Sequence, residues 1–220
     1  MRLVLLHGLA GHAGEWAATF AGLQDRHEVV APDLPGHGGD DELPASDGST
    51  ILVGQSYGGL LAMRLAADHP DLVRGLVVAE AAPSDGDTAS VDEAGDSLRS
   101  WPEFTERAAA LAYFESRGFD AETWVAGLDD GLRPRWRADD LERRLREAVE
   151  RATWDVWEQI ACPIVVVRGD RGTLPQAVAD EMVARNPHAR VVTLPGGHDV
   201  HLHAPDAWQR VVRAAADRAP

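Results

Sequence analysis

Six short apolar runs recur along the chain, at residues 3–6, 28–31, 51–53, 76–79, 164–167 and 191–194. They are rich in Val, Leu and Ile and mostly continuous, the pattern of strands buried on both faces of a parallel sheet. Between several of them the apolar positions shift to helical spacing. Trp16, Phe20 and Leu23 form one such set, and Leu61 and Leu65 with their neighbouring alanines another. Residues 176–185 predict a helix that stops before Asn186-Pro187, and a last helix opens at Pro205. Strands alternating with helices predict βαβ units with right-handed crossovers. The expected fold class is therefore α/β, a three-layer αβα sandwich around a mostly parallel sheet of about six strands.

Between Pro83 and Trp157 the strand rhythm stops and helical signals dominate. Residues 103–114 predict one helix. Asp139 with Glu142 predicts the capped start of another, which carries Leu141, Leu145 and Val149 on one face. Asp140/Arg144, Glu142/Arg146 and Glu147/Arg151 lie four apart and can pair along it. Residues 84–100, rich in Asp, Gly and Ser, predict a flexible entry loop. A helical insertion between two sheet strands sits above the sheet as a lid. The expected organisation is a core of residues 1–83 and 158–220 with a helical cap at 84–157; the bland alternative is a set of surface helices that cover no site.

Bulk composition narrows the partners. At 220 residues with a net charge of −15, the chain suits one well-buried core, and a polyanionic nucleic acid would be repelled. All the fixed positive side-chain charge is Arg. One cysteine, Cys162, cannot form an internal disulfide and suits a reducing compartment. No charged-then-apolar leader and no membrane-length apolar run is evident, so a cytoplasmic protein with no membrane partner is expected.

Gly54-Gln55-Ser56-Tyr57-Gly58 has the form G-x-S-x-G, directly after an apolar strand run and before a helical pattern. That context makes the motif informative. A serine on a tight strand-to-helix turn has a strained backbone, and large neighbours would collide there. Gly54, Gly58 and Gly59 remove those collisions, and the following helix N-terminus favours a developing oxyanion. The alternative is a glycine-rich turn with an incidental serine. Ser56 needs a base, and His198, in a Pro-Gly-Gly-His turn after the last strand run, is best placed among nine histidines. His201 and His203 follow closely, and metal binding by this segment is a competing reading, although no second cluster of ligands accompanies it.

These pieces together resemble the α/β-hydrolase family over nearly the whole chain. The matching segments are Leu5-Leu6-His7-Gly8-Leu9, Ala31-Pro32-Asp33-Leu34-Pro35-Gly36-His37-Gly38, the serine turn and Pro195-Gly196-Gly197-His198. The resemblance implies an oxyanion hole from the backbone N–H groups of Leu9 and Tyr57, with His7 and His37 as structural loop residues. It also implies a carboxylate that orients His198. Family members commonly place it after the strand matching residues 164–167, in a pattern like G-E-x-D. Here Gly169-Asp170-Arg171-Gly172 puts glycine at the usual acid position and Asp170 one place earlier. Other members carry the acid one strand before, where Glu80 follows residues 76–79. Glu80 is the preferred acid and Asp170 the alternative.

The chain departs from the family in lacking the usual N-terminal β-hairpin, which leaves the strand at 28–31 on a sheet edge. That edge is expected to be covered by residues 40–49 or buried in a homodimer. A serine nucleophile points to hydrolysis of an ester, thioester or lactone of a small acyl substrate, with neither cofactor nor metal. Carbon–carbon bond hydrolysis on the same triad, and a non-catalytic binding protein, are the alternatives. Residues 84–150 hold 17 acidic side chains against 9 arginines. Trp101, Phe104, Tyr113, Phe114, Trp124 and Trp136 could line an apolar pocket or simply pack the lid. Neutral, moderately apolar substrates are expected over anionic ones.

Overall fold

The six apolar runs form one sheet in a computed structural model that describes residues 1–38, 50–85 and 88–219. The strands are β1 (Arg2–Leu6), β2 (Glu28–Val30), β3 (Thr50–Gln55), β4 (Val73–Ala79), β5 (Ile164–Gly169) and β6 (Ala189–Leu194). Their order is β2-β1-β3-β4-β5-β6 and every pairing is parallel. Parallel strands need crossovers, so helices cover both faces and the strands must be apolar on both sides. Side chains alternate accordingly. Leu3, Leu5, Ile51, Val53, Val77 and Val165 face one helical layer, while Val4, Leu6, Leu52, Leu76, Val78 and Val166 face the other.

The first layer is built by a tight turn of helix at Ala13–Trp16, α1 (Ala17–Leu23) and, at the chain's end, a helix at Pro205–Ala216. Trp16, Leu23, Trp208 and Val212 are fully buried there. The second layer holds α2 (Tyr57–Asp68), whose Ala62, Met63 and Ala66 face the sheet. Among the described residues no helix is long and apolar enough to cross a membrane. β2 lies at the sheet edge as expected; residues 40–49, expected to cover it, lie outside the described residues.

The segment between β4 and β5 is helical: α3 (Ala89–Arg99), α4 (Arg107–Ser116), α5 (Ala121–Ala126), α6 (Ala138–Arg151) and α7 (Trp154–Gln159). Three local expectations need correction. Most of the stretch read as an entry loop is α3, which buries Val91 and Leu98 and packs on α6; tertiary packing overrides its weak helix-forming sequence. The helix expected from residue 103 starts at Arg107, after an extended Glu106. α6 starts without the expected capping box. Asp139 lies within its first turn, where negative charge suits the helix dipole, and Glu142 instead pairs with Arg99 of α3 and Arg146. Arg146 also reaches Asp92 of α3. Asp140 pairs with Arg144 as expected, whereas Glu147 pairs with Arg143.

The insertion has a core of its own only in part. Phe104, Ala110, Phe114, Val125 and Leu128 form a separate cluster around α4 and α5. Val91, Ala148, Val149, Trp154 and Trp157 join the main core under the sheet layer.

After β5 come two further helices: α8 (Gln176–Arg185), and α9 (Val200–His203), which follows β6 and leads into the Pro205–Ala216 helix, α10.

Candidate active site

Neighbouring strands β3 and β4 end in the same unusual way. Ser56 follows β3 with φ 50° and ψ −118°, and Glu80 follows β4 with φ 52°. Non-glycine residues rarely adopt these angles and need surrounding structure to hold them. The sheet ladder supplies it. Ser56 N–H donates to Ala79 O at 2.8 Å, and Glu80 N–H to Val167 O at 3.0 Å. Glycines make room: a Cβ on Gly54 would overlap the Gly58 carbonyl oxygen, and one on Gly58 the Leu6 carbonyl oxygen. Ser56 is thereby lifted from the sheet at the N-terminus of α2.

The Glu80 side chain is fully buried, its carboxylate satisfied by several donors. Oε1 accepts from Gly169 N–H at 2.7 Å, and Oε2 from the N–H groups of Thr173 and, at 3.1 Å, Leu174. His198 Nδ1 lies 3.5 Å from Oε2. Thr173 Oγ1 bridges the gap, 2.8 Å from Nδ1 and 3.1 Å from Oε2, so its hydroxyl can accept from the ring and donate to the carboxylate. Burial alone would push the Glu80 carboxyl up; hydrogen bonds from His198, Gly169, Leu174 and Thr173 outweigh it and hold the group below its ordinary value. Gln55 Nε2 donates to the His198 carbonyl at 3.2 Å, tying the base's turn to the serine's strand. The structure thus brings Glu80 to His198 and leaves Asp170 elsewhere. Asp170 Oδ1 accepts from Gly196 N–H at 2.9 Å, bracing the turn that carries His198.

Tyr57 opens α2, so its N–H has no helical acceptor. Leu9 lies on the loop after β1, in the wall of the cavity that holds Ser56. Two histidines shape that loop. His7 Nε2 accepts from Leu34 N–H at 2.9 Å while Nδ1–H donates to Gly8 O at 2.8 Å. His37 Nε2 accepts from Ala10 N–H at 3.1 Å, supporting a positive φ of 62° at Ala10. Each ring is fixed as a neutral tautomer, and burial together with the nearby His37 holds His7 down at about 3. His201 and His203 line neither cavity at Ser56. His201 is buried against Trp16, and His203 Nδ1 accepts from Gly197 N–H at 3.2 Å.

Two cavities meet at Ser56. One, of about 200 Å³, is walled by Leu9, Gln55, His198 and Asp199, with Glu15, Phe119 and Trp124 completing it. The other, of about 410 Å³, runs past Tyr57 and Leu60 to Ala82, Leu145 and Val149. Of the six cap aromatics named as pocket candidates, Trp124 alone lines either cavity. Phe104 and Phe114 are buried in the cluster around α4 and α5, and Trp101 and Trp136 line a separate hollow beside the ends of α3 and α6.

Glu15 and Asp199 escaped the sequence reading, as did Gln55 and Thr173. Burial, reinforced by Asp199, raises the Glu15 carboxyl to about 8. A folded-state value above the ordinary 4.5 favours the fold at low pH and weakens it as pH rises towards 8. His7, held low, acts oppositely, weakening the fold as pH falls from 6.5 towards 3. Glu15→Gln removes the first titration. Its stability relative to wild type is expected to rise between pH 4.5 and 8 by about 2 kcal/mol or more, measured by urea melts across that range. A pH-independent difference would show that Glu15 ionises normally.

Comparison with known proteins accords with this architecture. Residues 3–214 match the Alpha/beta hydrolase family. A pimeloyl-[acyl-carrier protein] methyl ester esterase of Xanthomonas campestris is 30% identical, over 92% of this chain and 88% of its own. An esterase of Mycobacterium tuberculosis is 27% identical, over 98% of this chain and 83% of its own. Among solved structures, E-2-(acetamidomethylene)succinate hydrolase superposes with a TM-score of 0.83 at 22% identity, covering 98% of this chain and 91% of its own. These relatives are hydrolases, and hydrolysis is the general function the matches support. With the fold, strand order and serine turn in agreement, the chain belongs to the alpha/beta hydrolase family.

Proposed function

We propose that this protein hydrolyses a carboxylic ester, thioester or lactone of a small, moderately apolar substrate through an acyl-enzyme on Ser56. The observation that carries the reading is the convergence of Ser56 and His198 on one cavity, with the imidazole tied through Thr173 to the buried Glu80 carboxylate. His198 takes the Ser56 proton as the oxygen attacks the carbonyl carbon. The N–H groups of Leu9 and Tyr57 hold the oxygen that becomes negative. His198 then gives its proton to the leaving group, the acyl–oxygen bond breaks, and water repeats the sequence to free Ser56. Glu80 keeps the ring in the Nδ1–H tautomer and stabilises its protonated form.

Paired variants test the acid. Glu80→Gln is expected to lower kcat by about 10⁴-fold, because the amide cannot balance an imidazolium. Asp170→Asn, altered in a turn-bracing residue, should stay within a few-fold of wild type. The reverse outcome, measured on ester hydrolysis with both proteins folded by circular dichroism, would transfer the role to Asp170.

Charge sets the substrate preference. Glu80 and Asp85 border the larger cavity, and among the described residues no Arg side chain lines either one, so an anionic substrate would meet like charge with no cation to balance it. Neutral esters are therefore expected to turn over faster than anionic ones, most clearly at low salt. Faster turnover of anionic esters at low salt would reverse this part of the reading.

A further inference from the structure

The smaller cavity carries more polarity than acyl transfer at Ser56 requires. Two carboxyl side chains line it, Glu15 at 5% and Asp199 at 6% exposure. Phe119 and Trp124 complete the wall on the cap side, their rings 4.8 Å apart. No Arg side chain is among the described residues that line it.

The two acids differ in what they already hold. Glu15 Oε1 accepts from His12 N–H at 3.2 Å, and its Oε2 lies 3.8 Å from Nε2 of His201, which does not line the cavity. Asp199 has less. Among the described residues no donor hydrogen-bonds its carboxylate, and the N–H of Trp124, which shares the cavity wall, is itself without a partner. A buried carboxyl short of donors is costly. This one faces the space next to the reacting oxygen, where a bound substrate can supply the missing donor.

Direction follows from the proton. His198 protonates the atom that leaves, so the leaving group lies on the imidazole's side of Ser56. That side is the smaller cavity. The larger one, past Leu60, Leu145 and Val149, remains for the acyl chain.

We propose that the cavity beside His198 binds the leaving alcohol, and that Asp199 is a specificity-determining residue accepting a hydrogen bond from a donor on that alcohol, a second hydroxyl or an amino group. This assignment rests on the acyl-enzyme reading above. In the step concerned, the Ser56 Oγ–carbon bond forms, the carbon–oxygen bond of the ester breaks, and the alcohol departs with the proton from His198.

The test compares esters that differ by one group. 2-Hydroxyethyl butanoate and propyl butanoate exchange a hydroxyl for a methyl. Choline butanoate and 3,3-dimethylbutyl butanoate exchange a fixed positive charge, with no donor, for a neutral group of the same shape. Wild type is expected to favour the hydroxyethyl over the propyl ester by about tenfold or more in kcat/KM. That ratio should fall towards one in Asp199→Ala and only partly in Asp199→Asn, whose amide oxygen still accepts. A ratio near one in wild type overturns the proposal, as does a ratio that survives in both variants. A choline preference as large as the hydroxyethyl one overturns the donor role in favour of charge. A preference that follows the donor on the acyl side, with propyl 6-hydroxyhexanoate favoured over propyl heptanoate instead, overturns the direction. Wild-type protein that cleaves none of these esters and takes no fluorophosphonate label overturns the acyl-enzyme reading itself, and this assignment with it.

Discussion

Ser56→Ala is expected to abolish ester hydrolysis, lowering kcat by roughly 10⁴- to 10⁶-fold, while leaving the fold intact. The fold survives because the change removes one oxygen from a half-buried side chain and keeps every backbone hydrogen bond that holds the turn. Alanine also keeps the left-handed φ of 50°; it neither adds nor relieves strain in the way a glycine would. On the proposed mechanism the serine, the imidazole and the acid act as a unit, so losing the nucleophile leaves only binding and the oxyanion donors. A fluorophosphonate probe should label wild type and leave both Ser56→Ala and His198→Ala unlabelled. Undiminished labelling of Ser56→Ala would place the nucleophile elsewhere and end the mechanism proposed here.

Gly58→Val is expected to cost on the order of 5 kcal/mol of stability, enough to leave little folded protein at 37 °C. The first added carbon would already overlap the Leu6 carbonyl oxygen and approach that of His7. Both are backbone atoms of β1 and its exit, and a packed sheet has little capacity to yield. α2 would have to back away from the sheet, taking the Tyr57 N–H with it. Gly118→Ala is the matched control, since an added Cβ there meets nothing within 4 Å, although its positive φ of 77° carries a backbone penalty of its own. Urea melts of the two variants should differ by several kcal/mol. Equal stability would mean that α2 and β1 can separate freely.

Much of this architecture is legible in the sequence because parallel strands advertise themselves. Each must be apolar on both faces, so runs such as Ile164-Val165-Val166-Val167 stand out from helices with one polar side. The serine turn is equally visible, since its glycines answer to close backbone contacts that tolerate nothing larger. α3 was hidden for the opposite reason. Its Asp-, Gly- and Ser-containing sequence has little tendency to form a helix alone, and Val91 and Leu98 bury only because α6 is there to receive them. The acid was ambiguous because Glu80 and Asp170 both follow strand ends, and spacing says nothing of which way a carboxylate turns. Strand register resolves the geometry: Glu80 turns beneath the 169–174 segment, whose N–H groups receive it, whereas Asp170 turns towards Gly196. Glu15 gave no signal because its neighbours in space, Asp199 and His201, lie nearly two hundred residues away in the chain.

Ser56 and Glu80 ride on adjacent strands in fixed register, the β3–β4 ladder running one step past the end of β3 and the β4–β5 ladder one step past the end of β4. Their spacing is therefore as rigid as the sheet itself, about 4.8 Å from strand to strand. His198 lies further from a strand end, on a turn after β6, two strands out from β4; Arg171 N–H donates to Gly196 O in that turn, and Gln55, Thr173 and Asp170 brace the rest. On the proposed mechanism, any adjustment of the imidazole is made from a turn that faces two fixed posts, so changes in that turn are expected to alter the tempo of the cycle without moving the bond that is cut.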